Sequence, residues 1–399
     1  MTEAEPAIGG ARRAGRGTRA GAGSGRADDG AGPDRGGLSW EWQAPFAVDI
    51  GLTLAVHARG PGDPTFRIDE AGAIWRTSLT PEGPATLRLT SSGPRPRLAR
   101  EAGAARPLGP AAGLALVLPA AAAAVPGPLP LAASGAHGGT AASAAAQSSD
   151  SGIRASTSIR ATAWGPGARW VLAQLPDLLG ARDDPAAFRP RDARLRELTS
   201  RFAGFRVGRT ERVFEALVPA VLEQKVLSLE AHRAWRLLLR WHGLRAPGPA
   251  PAGMRVSPPP AVWRSIPSWD WHRAGVEAVR ARTIAGAALV AARLEAAVDR
   301  PAGEFDRMLR SLPGIGPWTS AETRQRASGD PDAVSVGDYH LPSVVSWTLT
   351  GEPGDDDRML ELLAPYGGHR YRATRIIEMG GSAPPRRGPR LAVRDYRGF

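Results

Sequence analysis

One acid in this chain stands where it could do chemistry on a bond. Asp338 follows Gly337 in VSVGDYHLP, downstream of the stretch LPGIGPWTS that begins at Leu312. A carboxylate beside a carbon that turns cationic, such as the anomeric carbon of a sugar losing its base, stabilises that charge and can orient attacking water. Gly337 lets the backbone approach a ligand closely, and the apolar-leaning segment YHLPSVVSW would anchor the acid. The plainer reading is that Asp338 caps the following helix. Upstream, LPGIG sets glycines 314 and 316 around one aliphatic residue. That pattern predicts a turn with positive φ angles and outward N–H groups, able to hold a phosphate. An ordinary tight turn between two helices fits a bare GIG equally well.

The elements around the turn read as helices. EFDRMLRSL before it places Phe305, Met308, Leu309 and Leu312 on one face, and PWTSAETRQRA after it opens with proline at the first helical position. The result is a helix, a hairpin and a helix, followed by a single acid.

The chain of 399 residues carries a net charge of +12, which makes nucleic acid the default partner. Its permanently positive side chains are all arginine except Lys225, and 48 glycines and 37 prolines mark a compositional bias that raises the charge by itself. The absence of cysteine excludes disulfides, thiolate zinc sites and iron–sulfur clusters. No apolar run is long enough to span a bilayer, since the best candidate, Leu114 to Leu131, is interrupted by prolines. A soluble, cytoplasmic protein is expected.

Taken in order, residues 1–37 lack apolar periodicity and predict a disordered tail. From Leu38 the pattern changes to short alternating segments: a tryptophan pair, then Val48 to Val56 in period two (a helix is the alternative), TFRID, AIWRTSL and ATLRLT. An Ala/Gly/Pro/Ser block at about 100–152 reads as an insert, after which SIRATAW completes the same sheet. Residues 38–180 therefore predict a small antiparallel β-sheet domain, and residues 181–385 an all-helical domain, giving an α+β protein with a basic tail at 386–399. In the helical part, Val213 to Leu222 forms one apolar face, which Pro219 should kink or shorten, and a second helix runs from about Val226 to Trp241. Trp263, Trp269, Trp271 and His272 read as packing, while Arg280, Arg282, Arg370, Arg372 and Arg375 are candidate phosphate contacts.

LPGIGPWTS followed about twenty residues later by VSVGDYHLP resembles the helix-hairpin-helix and Gly/Pro-Asp signature of the HhH-GPD DNA glycosylases. Within that superfamily the chain most resembles the 3-methyladenine DNA glycosylase II branch, with counterparts of its N-terminal sheet domain at 38–175 and of its glutamine-containing turn at LEQKV. The resemblance covers roughly residues 190–380 and implies a monofunctional base-excision-repair enzyme. Such an enzyme flips an alkylated purine from double-stranded DNA, hydrolyses its bond to deoxyribose and leaves an abasic site.

On that resemblance Asp338 is the catalytic acid. Trp318, Glu322 and Tyr339 line the base pocket; Gly314, Ile315, Gly316, Thr319, Gln224 and Lys225 meet DNA. A monovalent cation on backbone carbonyls near Leu312 and Ile315 is the one ion implied, with no other cofactor. Three positions stand out. The bifunctional members carry a lysine where this chain has Trp318, so a Schiff-base lyase step is not expected. Lys225 replaces an apolar wedge, and Glu322 an aromatic. The resemblance further implies a monomer acting on nucleoid DNA, away from membranes. The alternatives are an inactive DNA-binding protein that keeps the hairpin and a bifunctional glycosylase/lyase.

Overall fold

The computed structural model describes residues 26–28, 36–91 and 157–385. The insert expected at 100–152, the basic tail at 386–399 and most of the N-terminal tail lie outside the described residues. One part of the expected tail is corrected: Arg26–Asp28 forms strand β1, whose backbone pairs antiparallel with the next strand.

The sheet continues with β2 (Leu38–Ala44), β3 (Phe66–Ile68), β4 (Ile74–Thr80), β5 (Gly83–Ser91) and β6 (Thr157–Trp164). All pairs are antiparallel, in the order β1-β2-β6-β5-β4-β3. The segment SIRATAW thus lies centrally, and its alternation is expressed in part: Ile159, Ala161 and Ala163 are buried and Arg160 faces out, but Thr162, expected on the outer face, is buried too. The helix Ala168–Leu178 covers this face with Val171, Leu175 and Leu178.

The period-two reading of Val48 to Val56 is overturned. Ile50–Leu54 is a short helix, α1, because the Asp49 carboxylate accepts from the N–H groups of Gly51 and Leu52 at 2.9 and 3.0 Å. All five of its residues are buried, so alternation carries no information about which face is wet. We number Ala168–Leu178 as α2.

The second lobe contains α3 (Ala193–Arg201), α4 (Val213–Leu222), α5 (Ser228–His242), α6 (Pro260–Ser265), α7 (Ser268–Ala274), α8 (Ala278–Leu289) and α9 (Ala291–Glu295). It ends with α10 (Ala302–Arg310), α11 (Pro317–Ala327), α12 (Leu341–Thr350), α13 (Asp356–Leu363) and α14 (Arg370–Gly380). A two-stranded ladder, Leu244–Arg245 with Arg255–Val256, interrupts an otherwise helical lobe. Helix α4 runs through Pro219 to Leu222, the Glu223 N–H donating to the Pro219 carbonyl at 3.1 Å.

One core of this lobe gathers α4, α5 and α8 around Trp263, which stacks with Trp235 and meets Trp271 at ring-centroid distances of 6.2 and 5.8 Å. The expected packing role fails for Trp269, which is 66% exposed, and for His272, also exposed. On the single short helix α7 only Trp271 and Ala274 face inward. A second core joins Phe188, α3 and the α12 to α14 group. Among the described residues no helix is long and apolar enough to cross a membrane.

The lobes meet through buried charge. Glu215 on α4 accepts from Arg76, Ser78 and the Leu79 N–H at 2.6, 2.8 and 3.1 Å. Arg59 of the sheet lobe pairs with Glu223 at 2.8 Å. Burial acts to raise the Glu223 pKa, but the Arg59 guanidinium, His232 and Arg326 more than offset it and hold the carboxyl at about 2. Its pKa is lower folded than the 4.5 ordinary for glutamate. Stability from this group is therefore present above about pH 4.5 and is lost as pH falls toward 2. The expected loss over that window is on the order of 3 kcal/mol. Urea titrations of wild type and Glu223→Gln between pH 5 and roughly pH 2.5 check it: the variant should show a shallower acid dependence.

Candidate active site

Helix α11 begins at the hairpin, and its first turn reaches the acid through Trp318, so the helix links the two parts of the signature. At the hairpin, Gly314 has φ +85°, and a Cβ there would stand 2.2 Å from the Thr283 hydroxyl of α8. Both conformation and space demand glycine. Gly316 is different: φ −93° and ψ −176° are ordinary extended values, and a Cβ would meet nothing. The positive-φ expectation therefore holds at one of the two glycines. Ile315 is buried in the first core and anchors the turn. Its N–H donates to the Leu312 carbonyl at 3.1 Å, whereas the N–H groups of Gly314 and Gly316 have no acceptor among the described residues. Thr319, expected at the DNA surface, is buried instead. Its hydroxyl oxygen accepts from Gln224 Nε2 at 2.8 Å, and the same amide nitrogen donates to the Gly314 carbonyl at 2.9 Å. Gln224 thus fastens the α4–α5 loop to the hairpin. Lys225, the next residue, is exposed with φ +55°.

Asp338 is held from three sides. One carboxylate oxygen accepts from the backbone N–H groups of His340 and Leu341 at 2.8 and 2.9 Å, and the other from the Trp318 indole at 3.0 Å. The capping and site readings of this residue therefore coexist, since the oxygen that caps α12 fixes the direction of its partner. The loop before it is pinned as well: Gln325 donates to the Ala333 carbonyl and to Ser335, Ser335 donates to Glu322 at 2.6 Å, and Gly337 N–H meets both Asp356 oxygens at 3.0 and 3.1 Å.

Burial pushes the Asp338 pKa above the ordinary aspartate value and the Glu322 charge adds to this, against the pull of the Leu341, His340 and Trp318 N–H groups. An activity that needs the ionised acid is lost as pH falls through this raised pKa. Trp318→Phe removes one group that favours ionisation, so the acid limb of kcat/KM should move to still higher pH. A pH–rate profile checks the direction.

A cleft opens beside the acid, lined by Glu322, Gln325, Ser335, Leu341, Tyr371, Thr374 and Glu378 together with Asp338. Of the residues expected in the pocket, Glu322 is there, and Trp318 stands next to it through its bond to the acid. Tyr339 is not: it is 80% exposed, edge-on to His340 at 4.7 Å between ring centroids. Gly337 turns the chain at φ +88° just before the acid, and Tyr339 leaves the cleft that Asp338 enters. Tyr371, Thr374 and Glu378 were missed. Their spacing of three and four on α14 is that of one helix face, a signal present in RYRATRIIE.

The candidate phosphate arginines mostly fail. Arg280 is buried and donates to the Leu222 carbonyl at 2.7 Å, Arg372 pairs with Asp183, and Arg375 with Glu378 at 3.2 Å. Arg370 is bound to Asp332. Arg282 is exposed. Among the described residues no group of three or more His, Asp or Glu side chains is arranged to hold a metal ion.

No family model matches the sequence, and no curated protein matches it. Solved structures do match in shape. The 3-methyladenine DNA glycosylase from Archaeoglobus fulgidus aligns over 85% of this chain and 97% of its own, with 16% identity and a TM-score of 0.58. The 8-oxoguanine glycosylase/lyase from Clostridium acetobutylicum, in complex with double-stranded DNA containing cytosine opposite 8-oxoguanine, aligns over 89% and 96%, with 10% identity and a TM-score of 0.56. At such low identities the likeness is one of fold, and the chain has the fold of these two DNA glycosylases.

Proposed function

We propose that the chain is a monofunctional DNA glycosylase that hydrolyses the bond between deoxyribose and a flipped, alkylated purine. The observation that carries this reading is the orientation of Asp338, tied by one oxygen to the start of α12 and by the other to Trp318 at the mouth of a cleft. As the bond from the anomeric carbon to the base nitrogen breaks, the electron pair leaves with the base and positive charge spreads over the sugar. The Asp338 carboxylate stabilises that charge and orients a water whose oxygen bonds the anomeric carbon, its proton passing through the acid to solvent. Products are a free base and an abasic site.

The position next to the hairpin that would hold a lysine in a strand-cutting relative is Trp318, and Lys225 is displaced onto the α4–α5 loop. Chemistry of this kind needs no cofactor. Double-stranded DNA is the proposed partner of a single copy of the chain, with the unengaged Gly314 and Gly316 N–H groups and the N-terminus of α11 facing a phosphate. A monovalent cation would fit the carbonyls of Leu312 and Ile315, the second of which accepts no backbone hydrogen bond among the described residues. Duplex DNA carrying 7-methylguanine tests the reading. Free base and intact, alkali-labile strands are expected, with no borohydride-trapped adduct. Trapping an adduct or finding no base release from any alkylated duplex would overturn it.

A further inference from the structure

An extruded base that is read by stacking meets aromatic faces, but this cleft offers mainly hydrogen-bonding groups. Two of them stand on one face of α14. Tyr371 lines the cleft at 5% exposure, its phenol close enough to the Arg375 and Arg326 guanidiniums to feel their charge. Glu378, one helical face along α14, gives one oxygen to Arg375 at 3.2 Å and keeps the other unengaged among the described residues. Glu322 is otherwise occupied, one oxygen taken by Ser335 and the other by Arg326 at 2.7 Å.

The charges around the cleft do not cancel. Three carboxylates, Asp338, Glu322 and Glu378, face two guanidiniums, those of Arg326 on Glu322 and Arg375 on Glu378. One negative charge is left over. Burial pushes the Glu378 carboxyl above its ordinary range, and the Asp338 and Glu322 charges push the same way. A cation entering the cleft would relieve what a neutral guest would not.

We propose that Glu378 and Tyr371 determine which base is excised, by favouring one that carries positive charge and presents N–H donors toward α14. This rests on the glycosylase reading above. A purine alkylated on a ring nitrogen, with an exocyclic amine, has both properties; hypoxanthine is of similar size and neutral. Carboxylate acceptors reward the charged donor edge, and an unpaired acceptor against a neutral edge carries a penalty.

The experiment compares single-turnover release of 7-methylguanine and of hypoxanthine from otherwise identical duplexes, taken as a ratio of kcat/KM so that effects on the shared chemistry divide out. Glu378→Gln should lower that ratio fivefold or more. Tyr371→Phe deletes one oxygen and no ion pair, which keeps the test valid if the first variant disturbs Arg375. It should lower kcat/KM for 7-methylguanine at least threefold. Smaller changes in both variants overturn the proposal while the glycosylase reading stands. Wild-type protein that releases neither base overturns both.

Discussion

Asp338→Asn should slow base release about a thousandfold while leaving the fold and DNA affinity nearly unchanged. Asparagine has the same shape, and its carbonyl can still accept from His340 and Leu341, so the start of α12 keeps its cap. What it cannot do is carry charge. With its carbonyl on the cap, the amide also turns N–H groups toward the Trp318 indole, a donor facing a donor where the wild-type chain has a 3.0 Å hydrogen bond. On the proposed mechanism the cationic sugar loses the charge that stabilises it. Release of base under single-turnover conditions, with duplex affinity measured in parallel at fixed salt, decides the matter. A rate within tenfold of wild type would leave Asp338 as a helix cap alone.

The largest effect on stability is expected at a pair remote from the acid. Arg372 and Asp183 are 1% and 2% exposed and joined directly. Asp183 also accepts the Val207 N–H at 3.0 Å, and Arg372 donates to His369 at 3.3 Å. The pair ties the loop ahead of α3 to α14, the helix that presents Tyr371, Thr374 and Glu378 to the cleft. Asp183→Ala strands a guanidinium in the core, which should cost about 3–5 kcal/mol in urea unfolding. Removing the charge as well, in Asp183→Ala with Arg372→Met, should restore part of that loss, because an apolar side chain makes no demand on a buried partner. Equal stability of the single variant and wild type would contradict the burial of this charge.

These two residues mark where the sequence was legible. The hairpin, the α11 start and Asp338 could be read because each depends on local rules: a glycine that a turn requires, a proline at a first helical position, an acid ahead of a helix. SIRATAW was legible for the same reason, its apolar positions marking the covered inner face, although Thr162 and Trp164 on the other face are buried as well. Arg372 was not. In a chain whose cations are nearly all arginine, nothing local separates a guanidinium buried against Asp183 from one waiting at the surface, and Arg280 and Arg375 misled in the same way. The helix at Ile50–Leu54 escaped because it is buried all round. Trp269 and Tyr339 show the converse, that aromatic residues in short helices and turns take their side from geometry the sequence does not state. The far wall of the cleft required knowing that α14 packs beside the acid, a contact between elements separated by two helices in the sequence.

The loop bearing Lys225 has a consequence of its own. Glu223 is fastened to Arg59 in the sheet lobe and Gln224 to the hairpin, and the residue after them is held at φ +55°, a basin that costs a lysine roughly 1 kcal/mol or more. Two anchors in different lobes thus keep one side chain cocked. Loosening either anchor should let that backbone relax, so the strain at Lys225 depends on the joining of the lobes.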